Sequence, residues 1–175
     1  MSNDEQGLVA TSSQTVGPFF HVGLTALAEG RVVSPGKGNR IELLITVTDG
    51  DGQPVPDAIV ELWQAHGAAS AFGRMPTSED GTSVFTTVRP ERGDHAVPPQ
   101  APHINVCLFA RGLLRHLHTR IYFTGDPALA ADPVLALVPE DRRATLLATP
   151  DAADSGRWQF HVRLQGPEET VFFNA

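Results

Sequence analysis

The sequence predicts an all-β fold: a β-sandwich of two mostly antiparallel sheets, with an extended N-terminal arm and one short helix. Three observations lead there. Fourteen prolines and sixteen glycines interrupt short apolar stretches along the chain, a punctuation that suits strands and turns better than long helices. Trp158, Phe160, Val162 and Leu164 alternate with Gln159, His161 and Arg163, so the apolar side chains share one face of a half-buried strand. Asp49-Gly50-Asp51-Gly52 and Glu79-Asp80-Gly81 are turn sequences, each set between two β-rich runs.

In chain order, residues 1–39 read as an arm and 40–175 as the sandwich. The arm has no strand pattern, yet 16–22 is too apolar for a free tail and is expected to pack on a partner. Strands are expected at 40–48, 58–64, 83–88, 103–110, 118–123, 157–165 and 170–173. In the first, Ile41, Ile45 and Val47 fall on one face. The helix is expected at 140–148, after Pro139, with acids in its first turn and Pro150 beyond it.

The chain has 175 residues, 41% of them hydrophobic and 19% charged, with a net charge of −7. That composition is globular, and without a basic stripe it points away from nucleic acid and anionic membranes. With a single cysteine, Cys107, neither a disulfide framework nor a cysteine-built zinc site is expected within the chain. With no basic-then-apolar leader and no spanning stretch, a cytoplasmic location is expected.

His116 and His118 stand two apart and can share a strand face, but each needs a third or fourth ligand and no cysteine or nearby acidic cluster supplies one, so surface or hydrogen-bonded histidines are expected. His161 is expected to face solvent, and His21, His66 and His95 lie near loops. Arg111, Arg115 and Arg120 surround Gly112. They can grip a carboxylate in fork geometry or pair with the chain's own acids. No nucleophile elbow occurs, and Gly36-Lys37-Gly38 lacks the context of a phosphate loop. The residues by themselves stop at a β-sandwich with an adhesive arm and an arginine cluster.

Several motifs together go further. They are Ser13-Gln14-Thr15-Val16-Gly17-Pro18-Phe19, Val60-Glu61-Leu62-Trp63-Gln64-Ala65 after the Asp-Gly turn, Phe72-Gly73-Arg74, and Phe85-Thr86-Thr87-Val88-Arg89-Pro90. Ala101-Pro102-His103-Ile104-Asn105, Leu108-Phe109-Ala110-Arg111-Gly112, Leu117-His118-Thr119-Arg120-Ile121-Tyr122-Phe123 and Glu169-Thr170-Val171-Phe172-Phe173 continue the series in order. This set resembles the intradiol ring-cleaving dioxygenase family, and within it the α-type chains of its two-subunit members.

The resemblance implies a site of two tyrosinates and two histidines around Fe(III), because hard phenolate donors stabilise the ferric ion. This chain departs from it. Its only tyrosine is Tyr122, the segments 66–72 and 91–95 where the family has its tyrosines contain none, and the His-x-His pair reads His103-Ile104-Asn105. The arginine that precedes that pair in iron-binding chains falls on Gln100. His103 and Asn105 are therefore degenerate ligand positions, with no metal expected in this chain. The resemblance then implies Fe(III) held by a partner β subunit, an αβ unit in a higher oligomer, and an isolated chain that is inactive. It places Thr15, Gly17 and Pro18 against the aromatic ring of 3,4-dihydroxybenzoate and Arg111 toward its carboxylate. An ordinary interface turn is the alternative for the first three, and at Phe19 the hydroxyl of the tyrosine found in some α chains is missing. Two rival readings are a chain binding its own metal through His103, His116 and His118, and a scaffold module that keeps only the fold.

Overall fold

The computed structural model describes residues 10–25, 38–66, 69–92, 98–154 and 156–174. Its strands are β1 (Arg40–Thr48), β2 (Ile59–His66), β3 (Ala69–Pro76), β4 (Thr82–Val88), β5 (His103–Phe109), β6 (Leu117–Phe123), β7 (Leu147–Pro150) and β8 (Arg157–Arg163). They join edge to edge in the order β3-β2-β5-β6-β7-β8-β1-β4. The β1–β8 and β6–β7 pairs are parallel, and the other pairings are antiparallel. The result is all-β, as expected, with β7 linking the two halves into one nearly closed sheet.

Strand alternation builds the core. Along β1, Ile41, Leu43, Ile45 and Val47 are buried, and along β8 so are Trp158, Phe160 and Val162. They pack against Val60, Leu62, Ile104, Val106, Leu108, Ile121 and Phe123 from the other half. Burying a side chain of this size contributes about 1.5–3 kcal/mol. Gln64 crosses the interior. Its Nε2 donates to the Val88 carbonyl at 2.7 Å, and its Oε1 accepts from Thr87 Oγ1 at 2.8 Å. Both ends of the amide are satisfied, which makes its burial tolerable.

Three elements differ from expectation. The segment at 140–148 is not an α-helix but a 3-10 turn (Glu140–Leu146) running directly into β7. Seven residues are too few to hold an α-helix by propensity, and here Arg143 Nε caps the Val138 carbonyl from the side at 2.9 Å. The one α-helix among the described residues, α1 (Pro18–Thr25), lies instead in the arm, with Pro18 at its first position where the missing N–H costs nothing. The stretch 170–173 forms no strand. Only Phe173 bridges, to His118, and the Thr170 N–H turns to the Arg163 carbonyl at 2.9 Å. Sequence patterning also overlooked β3 and β7. His95 and residues 1–9, 26–37 and 93–97 lie outside the described residues.

Candidate functional site

The outward face of the β2–β5–β6 sheet is where the residues in question meet. Alternation puts Ile104, Val106 and Leu108 inward and His103, Asn105, Cys107 and Phe109 outward. Register then pairs His103 with Tyr122, Asn105 with Arg120 and Trp63, and Cys107 with His118 and Glu61. Each of these rungs has its own chemistry.

At the His103 end, coil covers the sheet. Two 3-10 turns (Pro127–Ala131, Leu135–Leu137) and the Glu140–Leu146 turn bury Tyr122 beneath Leu135, Val138 and Leu146. Asp132, 1% exposed, organises this region. Its Oδ1 accepts from Tyr122 Oη at 3.1 Å, Val134 N at 3.0 Å and Leu135 N at 2.7 Å, and its Oδ2 accepts from Ala101 N at 2.7 Å. His103 Nδ1 lies 2.8 Å from the Ala101 carbonyl. Burial lowers the imidazole's pKa, and the Arg120 guanidinium also opposes its protonation. Arg120 donates to Gln100 Oε1 at 3.1 Å and lies 3.5 Å from Tyr122 Oη.

Ferric iron does not fit these residues. Tyr122 is turned toward Asp132, and burial pushes its phenol up to about 12, so it remains a neutral donor. Asn105 offers a neutral amide, and a fixed cation, Arg120, stands on the same rung. The donor set lacks the anionic phenolates that a ferric centre needs.

At the other end lies the arm. Thr15 Oγ1 accepts the Gly112 N–H at 2.8 Å, and Phe20 of α1 stacks on Phe109 with centroids 5.1 Å apart. Gly112 has φ +85°, a left-handed conformation that glycine adopts without steric cost and that folds the Arg111 turn back toward the arm. Arg111 Nε pairs with Asp57 Oδ2 at 2.7 Å, yet its side chain stays 70% exposed. Gly17 and Pro18 are exposed at the start of α1. The structure thus gathers Thr15, Gly17, Pro18 and Arg111 at one end of the domain. It does not make a single cluster of the three arginines: Arg111 and Arg120 hold different partners on different elements.

Contrary to the expectation from spacing, strand register brings a cysteine to the pair of His116 and His118: the β5–β6 pairing sets Cys107 beside His118. His103, four residues from Cys107 along β5 and so roughly 13 Å away, is not their third partner. Asp132 was missed as well. A lone Asp in a Pro- and Ala-rich coil gives no local sign of the four donors that converge on it.

Comparison with known proteins gives the family. A dioxygenase family model matches residues 16–166. The chain is 41% identical to the protocatechuate 3,4-dioxygenase alpha chain of Burkholderia cepacia, over 95% of this chain and 98% of that one. It is 30% identical to the beta chain from the same organism, covering 76% of this chain and 67% of that one. Among solved structures, the dioxygenase domain of a carbohydrate-binding fusion protein from Streptomyces sp. SirexAA-E shares the fold. It has a TM-score of 0.63 and 24% identity, over 82% of this chain and 89% of that one. No described helix is long and apolar enough to cross a membrane. With a family model spanning most of its length, an α-chain relative matched nearly end to end and the shared fold, the chain belongs to the intradiol ring-cleaving dioxygenase family.

Proposed function

We propose that this chain is the iron-free α subunit of a two-chain protocatechuate 3,4-dioxygenase. Together with an iron-bearing β subunit it opens 3,4-dihydroxybenzoate between its hydroxyl carbons with O2, giving 3-carboxy-cis,cis-muconate. The observation that carries this reading is the hydrogen bond between Thr15 and Gly112, which ties the arm to the turn bearing Arg111. An aromatic ring carrying a carboxylate has matching needs: a wall for the ring and a cation for the acid.

The roles follow from each residue's chemistry. Thr15, Gly17 and Pro18 form the wall of a pocket completed by the partner. Among the described residues a Cβ on Gly17 would meet nothing within 4 Å, which leaves room there for a partner or ligand. Arg111 receives the carboxylate. Its contact with Asp57 is exposed and weak, and an incoming substrate carboxylate can replace it through two charge-assisted hydrogen bonds. The partner's Fe(III), when bound, activates the catecholate toward O2. This chain excludes water and orients the ring. Phe19, 91% exposed, and Val22, 66% exposed, stand out from α1 with Leu114, 62% exposed, nearby in the fold; such apolar surface suits an obligate interface and a higher oligomer of αβ units. The single buried thiol and acidic composition support a cytoplasmic protein.

The test is Arg111→Ala in the αβ complex, assayed on protocatechuate and on catechol, which lacks the carboxylate. A direct contact costs roughly 1.5–3 kcal/mol in kcat/KM for protocatechuate and much less for catechol. Equal losses on both substrates would reassign Arg111 to assembly.

A further inference from the structure

We propose that Cys107, His116 and His118 form a binding site for a borderline-soft divalent cation of the zinc class. Cys107 Sγ and one ring nitrogen from each histidine all lie within 4.8 Å of one another. The fold produces this convergence. Cross-strand pairing places Cys107 beside His118, and His116, just ahead of β6, turns its ring edge-on to His118 with centroids 4.7 Å apart at 84°.

The spacing fits a four-coordinate ion. Donors bonded at about 2.0–2.3 Å to one tetrahedral ion stand roughly 3.3–3.8 Å apart. Closure asks for a shift of about an ångström, which the exposed His116 can make. None of the described hydrogen bonds uses the side chain of Cys107, His116 or His118, so a cation has no protein partner to displace. One thiolate and two imidazoles suit zinc or cobalt and disfavour magnesium or calcium, which take oxygen. Glu61, across from Cys107 on β2, is held by Arg74 at 2.8 Å, which leaves the ion's fourth position to water. Binding releases the Cys107 proton, since the thiolate is the ligand. His116 also stacks on Phe109, on which Phe20 rests, so an ion would pin the ring beneath the arm.

Cobalt(II) titration of the full-length chain tests this, because thiolate-to-cobalt charge transfer in the near ultraviolet reports the sulfur ligand directly. One cobalt per chain with that band is expected, and Zn(II) should displace it. Cys107→Ser should abolish the band. His116→Asn, at an exposed side chain, should weaken binding at least tenfold with an unchanged circular dichroism spectrum. Absence of the band in the unaltered chain, or a band equally strong in either variant, would overturn the site.

Discussion

The two ends of the outward β5–β6 face use similar side chains in opposite ways. At the His103–Tyr122 end, polar groups are engaged within the protein: Tyr122 and three backbone N–H groups converge on Asp132, and Arg120 reaches Gln100. At the Thr15–Arg111 end the side chains are exposed, held by one hydrogen bond and one surface ion pair. Donors already satisfied and buried are costly to redirect, whereas exposed ones are free to meet a ligand. The difference is what the proposed role asks for: an end whose polar groups are engaged within the protein, and an end whose exposed side chains can meet a ligand.

The largest effect should come from the open end. Removing residues 1–23 takes away Thr15 and most of α1 with its exposed Phe19 and Val22 while leaving the sandwich core untouched. Stable pairing with the β chain is expected to disappear, with the sandwich still folded by circular dichroism. Unchanged co-purification would show that the arm is not the interface.

The closed end should respond in stability instead. Asp132→Ala strands three backbone N–H groups and the Tyr122 hydroxyl in a buried setting, a loss of about 2–4 kcal/mol given typical penalties for unsatisfied groups. Urea denaturation would measure it. A change below about 0.5 kcal/mol, the scale of an ordinary surface substitution, would mean that Asp132 does not organise this end, and the contrast between the two ends would fail.

Much of this was legible in the sequence because it is local. Period-two alternation in β1 and β8 marks the inward face directly, and their bounds agree with expectation to within two residues. β3 escaped notice because Ala69–Pro76 holds only Phe72 and Met75 as large apolar residues, with Gly73 and Arg74 between them. Its order comes from pairing with β2 rather than from its own pattern. The helix expected after Pro139 forms instead as a seven-residue 3-10 turn, too short for propensity to hold an α-helix. The juxtaposition of Cys107 and His118 depends on strand register, and the ring of donors around Asp132 on long-range folding; neither leaves a trace in spacing. The absence of tyrosine from residues 66–72 and 91–95, by contrast, is read from the sequence alone.

Combining the purified chain with its β partner offers the most direct test of the central claim, read by iron content, visible absorption and oxygen uptake on protocatechuate before and after mixing. Alone, the chain should hold no stoichiometric iron, show no tyrosinate-to-iron absorption and consume no oxygen. Mixed, the complex should be red-brown and active. A chain that by itself binds ferric iron, shows that absorption and cleaves protocatechuate would contradict the account.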